Sequence, residues 1–477
     1  MRISWVDVGI LVAYLVGITW FGVRFRKGQQ DIRDYFLGGR TAPWWALAMS
    51  IVATETSTLT IIGTPALAFA SNLGFLQLVI GYLVGRVLIV LLLLPQYFQG
   101  EFYTAYQVIE QRFGRRMKSV AAATFLVTRG LAEGVRIAAI ALVVSVAFGT
   151  GQKASVAIIL VLTLIYTFEG GMKAVIWTDV IQLVLYLAGS AVAFGLLLGK
   201  IPGGWAEVTQ VAAAAGGKLG VFDFTFSLTK TYTFWSGLIG GAFLTMASHG
   251  TDQTIVQRLL AARSERDGRL ALLASGVIVF VQFALFLVIG VMLYVWQGAP
   301  AIVAGQSYDR VLPEFVVTQM PPGVAGLVLA AILAVAMSNA SGSLNSLAAS
   351  SVVDFSVLSG KEADPARFLR LSRRMTLVWG AVLLVLGTLS WGPLLEAGLT
   401  IASITFGSLL GLFLLGRLNP RATASGALAG MAAGLAVMLY VKFGTSLAWT
   451  WYVLVGTATT FGVGSAASLF EKQMEHK

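Results

Sequence analysis

Apolar segments about as long as a bilayer is thick recur from one end of this chain to the other, and that feature dictates the architecture. Runs such as Val87–Leu94, Ala154–Tyr166 and Leu377–Leu389 form the hearts of these segments. A helix needs roughly 20 apolar residues to cross the hydrocarbon layer. Only helices and closed barrels satisfy every backbone group there, and the runs are too long for barrel strands. Spans are predicted near 5–24, 41–69, 73–98, 118–149, 153–168, 173–199 and 233–261. Further spans follow near 269–298, 322–352, 375–391, 395–416, 422–443 and 447–469, about thirteen in all. The chain therefore reads as an all-α polytopic membrane protein, a single transmembrane domain over residues 1–477. The first span starts at Ile3 behind a lone Arg2 and reads as a spanning helix, not a cleavable signal.

Charge supports that reading by where it falls. The net charge is +11, which on a soluble protein would suggest a nucleic-acid partner. Here the basic residues lie in alternate loops. Arg24, Arg26, Lys27, Arg33 and Arg40 follow the first span, and Arg112, Arg115, Arg116 and Lys118 follow the third. Arg263, Arg266 and Arg269 follow the seventh, and Lys361, Arg367, Arg370, Arg373 and Arg374 follow the ninth. Lys and Arg stay on the cytoplasmic side of a bilayer. This predicts a multi-pass protein of the plasma (inner) membrane, N-terminus outside and C-terminus cytoplasmic, with no nucleic-acid partner. Segments 200–232 and 299–321, rich in Gly and Pro, are expected to be surface caps with short helices.

Three spans carry polar residues that a purely structural helix avoids. The second reads Ser50-Ile-Val-Ala-Thr-Glu55-Thr-Ser-Thr-Leu-Thr60, followed by Gly63 and Pro65. The seventh holds Thr245, Ser248, His249, Gly250, Thr251 and Asp252; the ninth reads Ser338-Asn339-Ala-Ser341-Gly-Ser-Leu-Asn345. Unwound backbone survives in a membrane only where protein buries it or water reaches it. Paired interrupted helices mark the midplane site of an inverted-repeat transporter. The second and seventh spans are five apart, which predicts a five-plus-five repeat. Its halves would cover approximately 41–199 and 233–416, with 5–24, 422–443 and 447–469 as peripheral helices. No cysteine and only two histidines exclude thiolate chemistry and multi-histidine metal clusters. No catalytic constellation is visible, so an enzyme is not expected. Nothing resembles the repeated filter of a channel.

Asp34-Tyr-Phe-Leu-Gly-Gly-Arg40, Gln111-Arg-Phe-Gly114, Gly170-Gly-Met-Lys-Ala-Val-Ile-Trp-Thr-Asp179-Val-Ile-Gln182 and Val256-Gln-Arg258 resemble the sodium:solute symporter family. The resemblance runs from the first span to about residue 357. It implies the LeuT-like five-plus-five fold and sodium-driven import of a small polar solute by alternating access. It also implies a sodium site made of the carbonyls of Ala53, Thr56 and Val335 with the side chains of Ser338 and Asn339. Most relatives carry Ser or Thr where Asn339 stands. A second cation site is implied at Asp179 with Ser341, although Gly342 replaces the other hydroxyl. Glu55 stands where the proline branch is acidic, and three roles are open to it: sodium ligand, solute contact or proton carrier. Proton coupling through Glu55 or Asp179 is the main alternative.

For the solute, Arg129, Glu133 and Arg136 fall on one helical face by their i, i+4 and i+7 spacing. An unpaired guanidinium there would grip a carboxylate in a bidentate manner; the alternative is an internal salt bridge. Sugar-carrying relatives place Gln at the position of Thr60 and an aromatic gate at that of Ser248. Thr60-Ile-Ile-Gly-Thr-Pro65 and Ser343-Leu-Asn-Ser346 resemble the branch carrying monocarboxylates, iodide and vitamins, so a small organic anion is expected, with a sugar, polyol or amino acid as the alternative. Thr56, Thr60, Thr245, Ser248 and His249 are the expected lining.

Overall fold

The structure, a computed structural model, describes residues 3–24, 37–100, 102, 104–166, 172–356 and 365–475. Among these there is no β-strand. Helices α1 (Trp5–Val23), α2 (Trp44–Glu55), α3 (Thr64–Ala70), α4 (Leu76–Leu92), α5 (Tyr106–Phe113) and α6 (Arg115–Phe148) come first. They are followed by α7 (Gln152–Tyr166), α8 (Met172–Lys200), α9 (Gly204–Ala214), α10 (Gly241–Gly250), α11 (Gln253–Leu260) and α12 (Glu265–Trp296). The chain ends with α13 (Val311–Gln319), α14 (Val324–Ser356), α15 (Pro365–Gly387), α16 (Leu394–Leu418), α17 (Ala424–Gly444) and α18 (Tyr452–Glu475). Every predicted span falls on helix, and the short helices α9 and α13 lie in the two segments expected to be caps. Among the described residues, six helices are long and apolar enough to cross a bilayer, or seven when the bent second span is counted as one. Length and hydropathy therefore do not by themselves reach about thirteen crossings. The remaining apolar helices are shorter, such as Leu76–Leu92 and Val324–Ala336.

Two of the three polar spans are broken, as expected. In the second, α2 stops at Glu55, and the chain resumes at Leu59 at an angle of 66°. Thr56 there is extended, with φ −75° and ψ 107°. In the seventh, α10 stops at Gly250 and Asp252 is extended, its carboxylate accepting from the Thr254 backbone N–H to start α11. The third polar span differs. Helix α14 runs from Val324 to Ser356 without interruption, and its Asn339 and Ser343 side chains bond to the Thr56 carbonyl and to Glu133.

Small residues set how closely the helices approach, since lipid supplies no hydrophobic drive between them. A methyl group at Gly81 would lie 2.3 Å from the Gly237 carbonyl, and one at Gly85 2.6 Å from that of Ala242. Helix α4 is thereby held against α10 and the turn before it. On α17, Gly426, Gly430 and Gly434 recur every fourth residue and meet Ser468, Gly464 and Thr460 of α18. Polar ties fix the ends. Asp7 accepts from the Gly323 and Gly326 N–H groups, both at 2.7 Å, and so pins α1 to the start of α14. The Lys218 ammonium, whose pKa burial holds down to about 8, donates to the carbonyls of Phe69 and Ser71 at the end of α3. Asp309, its pKa raised by burial, accepts from the Leu394 N–H and fastens the second cap to α16.

The α17–α18 contact makes a direct prediction. A Cβ at Gly430 would sit 2.4 Å from the Thr460 carbonyl, whereas one at Gly462 would meet nothing within 4 Å. Gly430→Ala should lower the melting temperature of the detergent-purified protein by the equivalent of about 1–3 kcal/mol. Gly462→Ala should leave it unchanged or raise it. Equal effects from the two would refute close packing here.

Candidate substrate and ion site

Both helix breaks open onto one cavity of about 140 Å³. Its walls come from the α2 break (Thr54, Glu55, Ser57, Thr60), from α4 (Tyr82), from α6 (Thr128, Arg129, Arg136) and from the α10–α11 break (Thr245, Ser248, His249, Asp252). Phe75, Phe283 and Phe406 add apolar surface, with α16 contributing Leu395, Gly398, Leu399 and Ala402. Of the expected lining, Thr60, Thr245, Ser248 and His249 are in place. Thr56 is not. Its hydroxyl is taken by Gln282, which is also bonded to Tyr186.

Glu55 does not stand alone. Its carboxylate accepts from the Arg86 Nη2 and lies 3.2 Å from His249 Nε2. Arg86 is fully buried and also donates from Nε to Ser275 Oγ at 3.2 Å and from Nη1 to the Tyr82 carbonyl at 3.3 Å. A charge in a membrane interior needs a partner, and here each partner is the other's. The pairing argues against Glu55 as a bare sodium ligand or a free proton carrier. Arg86 is not among the site residues read from the sequence, although a lone cation within the apolar third span is itself a signal.

On α6, Arg129, Glu133 and Arg136 share a face as their spacing required. Glu133 is completely buried; its Oε2 accepts from Ser343 at 2.7 Å and from Arg136 Nη1 at 3.3 Å. Arg129 donates to the same Ser343 hydroxyl from Nε and Nη2. The salt-bridge reading thus describes Glu133, which stands behind the cavity. Arg136, however, keeps its Nε without a partner among the described residues, and it lines the cavity.

The break in the second span frees backbone oxygens. Thr56 N–H donates to Val52, but Ser57 N–H turns to Thr60 Oγ1. The Ala53 carbonyl is therefore left without its helical donor, at the negative end of α2. Asn339 of α14 reaches this point and donates from Nδ2 to the Thr56 carbonyl at 3.2 Å. Asn339 and Val335 are buried; the side chains of Ser338 and Ser341 lie outside the described residues. Asp179 is committed elsewhere. Its Oδ2 accepts from Ser50 Oγ at 2.6 Å and from Arg258 Nη2 at 2.9 Å, and Arg258 Nε donates to Ser50 as well. A cation at Asp179 would have to share that oxygen with a guanidinium.

The family model for sodium:solute symporters matches residues 35–434. The chain belongs to the sodium:solute symporter family. Among relatives of this symporter, the human sodium/iodide cotransporter is 32% identical over 92% of the chain and 69% of the relative. The sodium/sialic acid symporter SiaT of Proteus mirabilis is 30% identical over 98% of the chain and 96% of the relative. The mouse sodium-coupled monocarboxylate transporter 1 is 31% identical over 88% and 70%. A solved substrate-bound, outward-open state of a sodium-coupled sialic acid symporter superposes with a TM-score of 0.87 at 28% identity, covering 98% of both chains. Mhp1, a nucleobase-cation-symport-1 family transporter, shares the fold at a TM-score of 0.61 and 13% identity. The symporter is thus a sodium-coupled, multi-pass membrane transporter of the LeuT-like fold and not an enzyme.

The Arg86–Glu55 pair predicts a diagnostic stability pattern. Glu55→Gln strands a fully buried guanidinium and should cost about 3–5 kcal/mol. Glu55→Gln combined with Arg86→Met should recover most of that in thermal melts. A single variant as stable as the parent would show that the pair is not a structural unit.

Proposed function

We propose that this symporter imports a small organic anion together with sodium, and that the anion's carboxylate binds Arg136 at the α6 wall of the cavity. The observation that carries the reading is the Arg136 guanidinium on the cavity wall, tied to Glu133 through Nη1 and with no other hydrogen-bond partner among the described residues. A carboxylate completes such a fork with two parallel charge-assisted bonds. Arg129, tied to Ser343, is the supporting charge. Thr60, Thr245, Ser248 and His249 then serve the rest of the solute. The sialic acid and monocarboxylate relatives have carboxylate solutes by name, which agrees with this reading.

For sodium, the proposed ligands are the carbonyls of Ala53, Thr56 and Val335 with the side chains of Ser338 and Asn339. A hard cation requires oxygens, and the α2 break supplies carbonyls that a continuous helix would occupy. The contact from Asn339 to the Thr56 carbonyl brings two proposed ligands together; a half-turn of that amide presents Oδ1 in place of Nδ2. A second cation at Asp179 and Ser341 belongs to the proposal only in a state where Arg258 releases the carboxylate. The pairing of Glu55 with Arg86 disfavours proton coupling through Glu55. The core repeats are placed at about 41–199 and 233–416, with 5–24, 422–443 and 447–469 peripheral. The alternation of basic loops orients the N-terminus outside and the C-terminus in the cytoplasm of a bilayer-embedded chain. Alternating access then couples the downhill ion to the solute because each favours binding of the other.

Uptake into proteoliposomes tests this. With sodium outside and choline inside, labelled small monocarboxylates should accumulate saturably, and Arg136→Gln should reduce uptake efficiency by about a hundredfold. Sodium-independent uptake, or uptake of neutral sugars undisturbed by Arg136→Gln, would overturn it.

A further inference from the structure

One wall of the cavity carries a chain of polar groups whose proton order the anion reading leaves open, although it places Ser248 and His249 beside the solute. From the interior outward it runs Arg86, Glu55, His249, Ser248. The links are Arg86 Nη2 to Glu55 Oε2, Glu55 Oε2 to His249 Nε2 at 3.2 Å, and His249 Nδ1 to Ser248 Oγ at 2.8 Å. The direction of the protons along it follows from chemistry. Arginine only donates, so Glu55 is the acceptor of the first link and carries its charge there. Were His249 Nε2 unprotonated, its lone pair would face that carboxylate oxygen at 3.2 Å, and acceptor would meet acceptor. Arg86 Nη2, 3.3 Å from Nε2, would donate into the lone pair in that case, but a neutral ring nitrogen is a weaker acceptor than the carboxylate already beside it. The proton therefore sits on Nε2 and donates to Glu55, which leaves Nδ1 as an acceptor. Ser248 has one proton to give. Its other acceptor, the Thr245 carbonyl, is 3.5 Å away, so the proton goes to Nδ1. The Ser248 oxygen is left with its lone pairs and faces the cavity as an acceptor.

We infer that Ser248 is a fixed hydrogen-bond acceptor that reads a donor on the solute, so that the preferred solute is an acid carrying a hydroxyl or amide N–H group. This rests on the organic-anion reading above and narrows it. An unconstrained serine is indifferent, because its hydroxyl rotates to donate or accept. Here the rotor is stopped by a relay anchored on the Arg86–Glu55 ion pair. The cavity size agrees. At 140 Å³ it has room for roughly five waters, hence for an acid of about six non-hydrogen atoms. A monatomic anion would offer Ser248 no donor and leave most of that space unfilled.

Matched acids decide the matter. Binding of lactate against propionate, and of 3-hydroxybutyrate against butyrate, is measured by calorimetry on the purified protein in saturating sodium. The hydroxy acid of each pair should bind at least about tenfold more tightly. Ser248→Ala should bring the two acids of a pair to within about twofold of each other. His249→Phe, which frees the hydroxyl to rotate, should do the same. His249→Asn, whose Oδ1 can stand in for Nδ1, should retain a preference. Equal binding of both acids by the parent protein overturns the relay while leaving the anion reading intact. So does a preference that survives Ser248→Ala. If no acid of either pair binds, the anion reading falls and takes this inference with it.

Discussion

Everything at the centre of this protein depends on two helices that stop inside the bundle. Unwinding a helix in a membrane interior exposes polar backbone that hydrocarbon cannot satisfy. The breaks at Thr56 and at Thr251–Asp252 are therefore possible only because protein groups meet them. Asn339 covers the Thr56 carbonyl, Thr60 caps Ser57, and the Asp252 side chain starts the next helix. What remains uncovered, the Ala53 carbonyl at the negative end of α2, is chemically suited to a small cation. Site and break have the same origin.

The charges in and around the cavity follow a second rule: three carboxylates of the interior are each matched with an arginine. Glu55 is paired with Arg86, Glu133 with Arg136, and Asp179 with Arg258. Such pairs add little stability as pairs but are costly to break. They hold the cavity wall, with the Arg136 guanidinium on it, in one arrangement. The caps work the same way at the periphery, where Lys218 and Asp309 tie the long connecting segments to α3 and α16. The second cap is thereby joined to α16, which lines the cavity.

Much of this was legible in the sequence. Apolar runs located the helices, and polar clusters with Glu55 and Asp252 located both breaks. The i, i+4, i+7 spacing put Arg129, Glu133 and Arg136 on one face. Other features were not, for physical reasons. The cluster from Ser338 to Asn345 looks like the broken helices in composition, yet α14 is continuous; whether a polar run unwinds depends on its neighbours. The partners of Glu55 and Asp179 are Arg86 and Arg258, far away in the chain, and pattern along one helix does not report contacts between helices. Thr56 was expected to face the solute and instead faces Gln282, because the break rotates its side chain away from the helical register.

The central claim is that the α2 break and α14 together bind sodium. The most direct test is the melting temperature of the purified protein across a sodium series, with choline holding ionic strength constant, for the parent and for Ser338→Ala. A site on the folded state gives about 2.7 kcal/mol of stabilisation at 100 times its dissociation constant. The account predicts a saturable rise specific to sodium that shifts to higher concentration in Ser338→Ala. A flat response to sodium, with stability tracking pH instead, would contradict it.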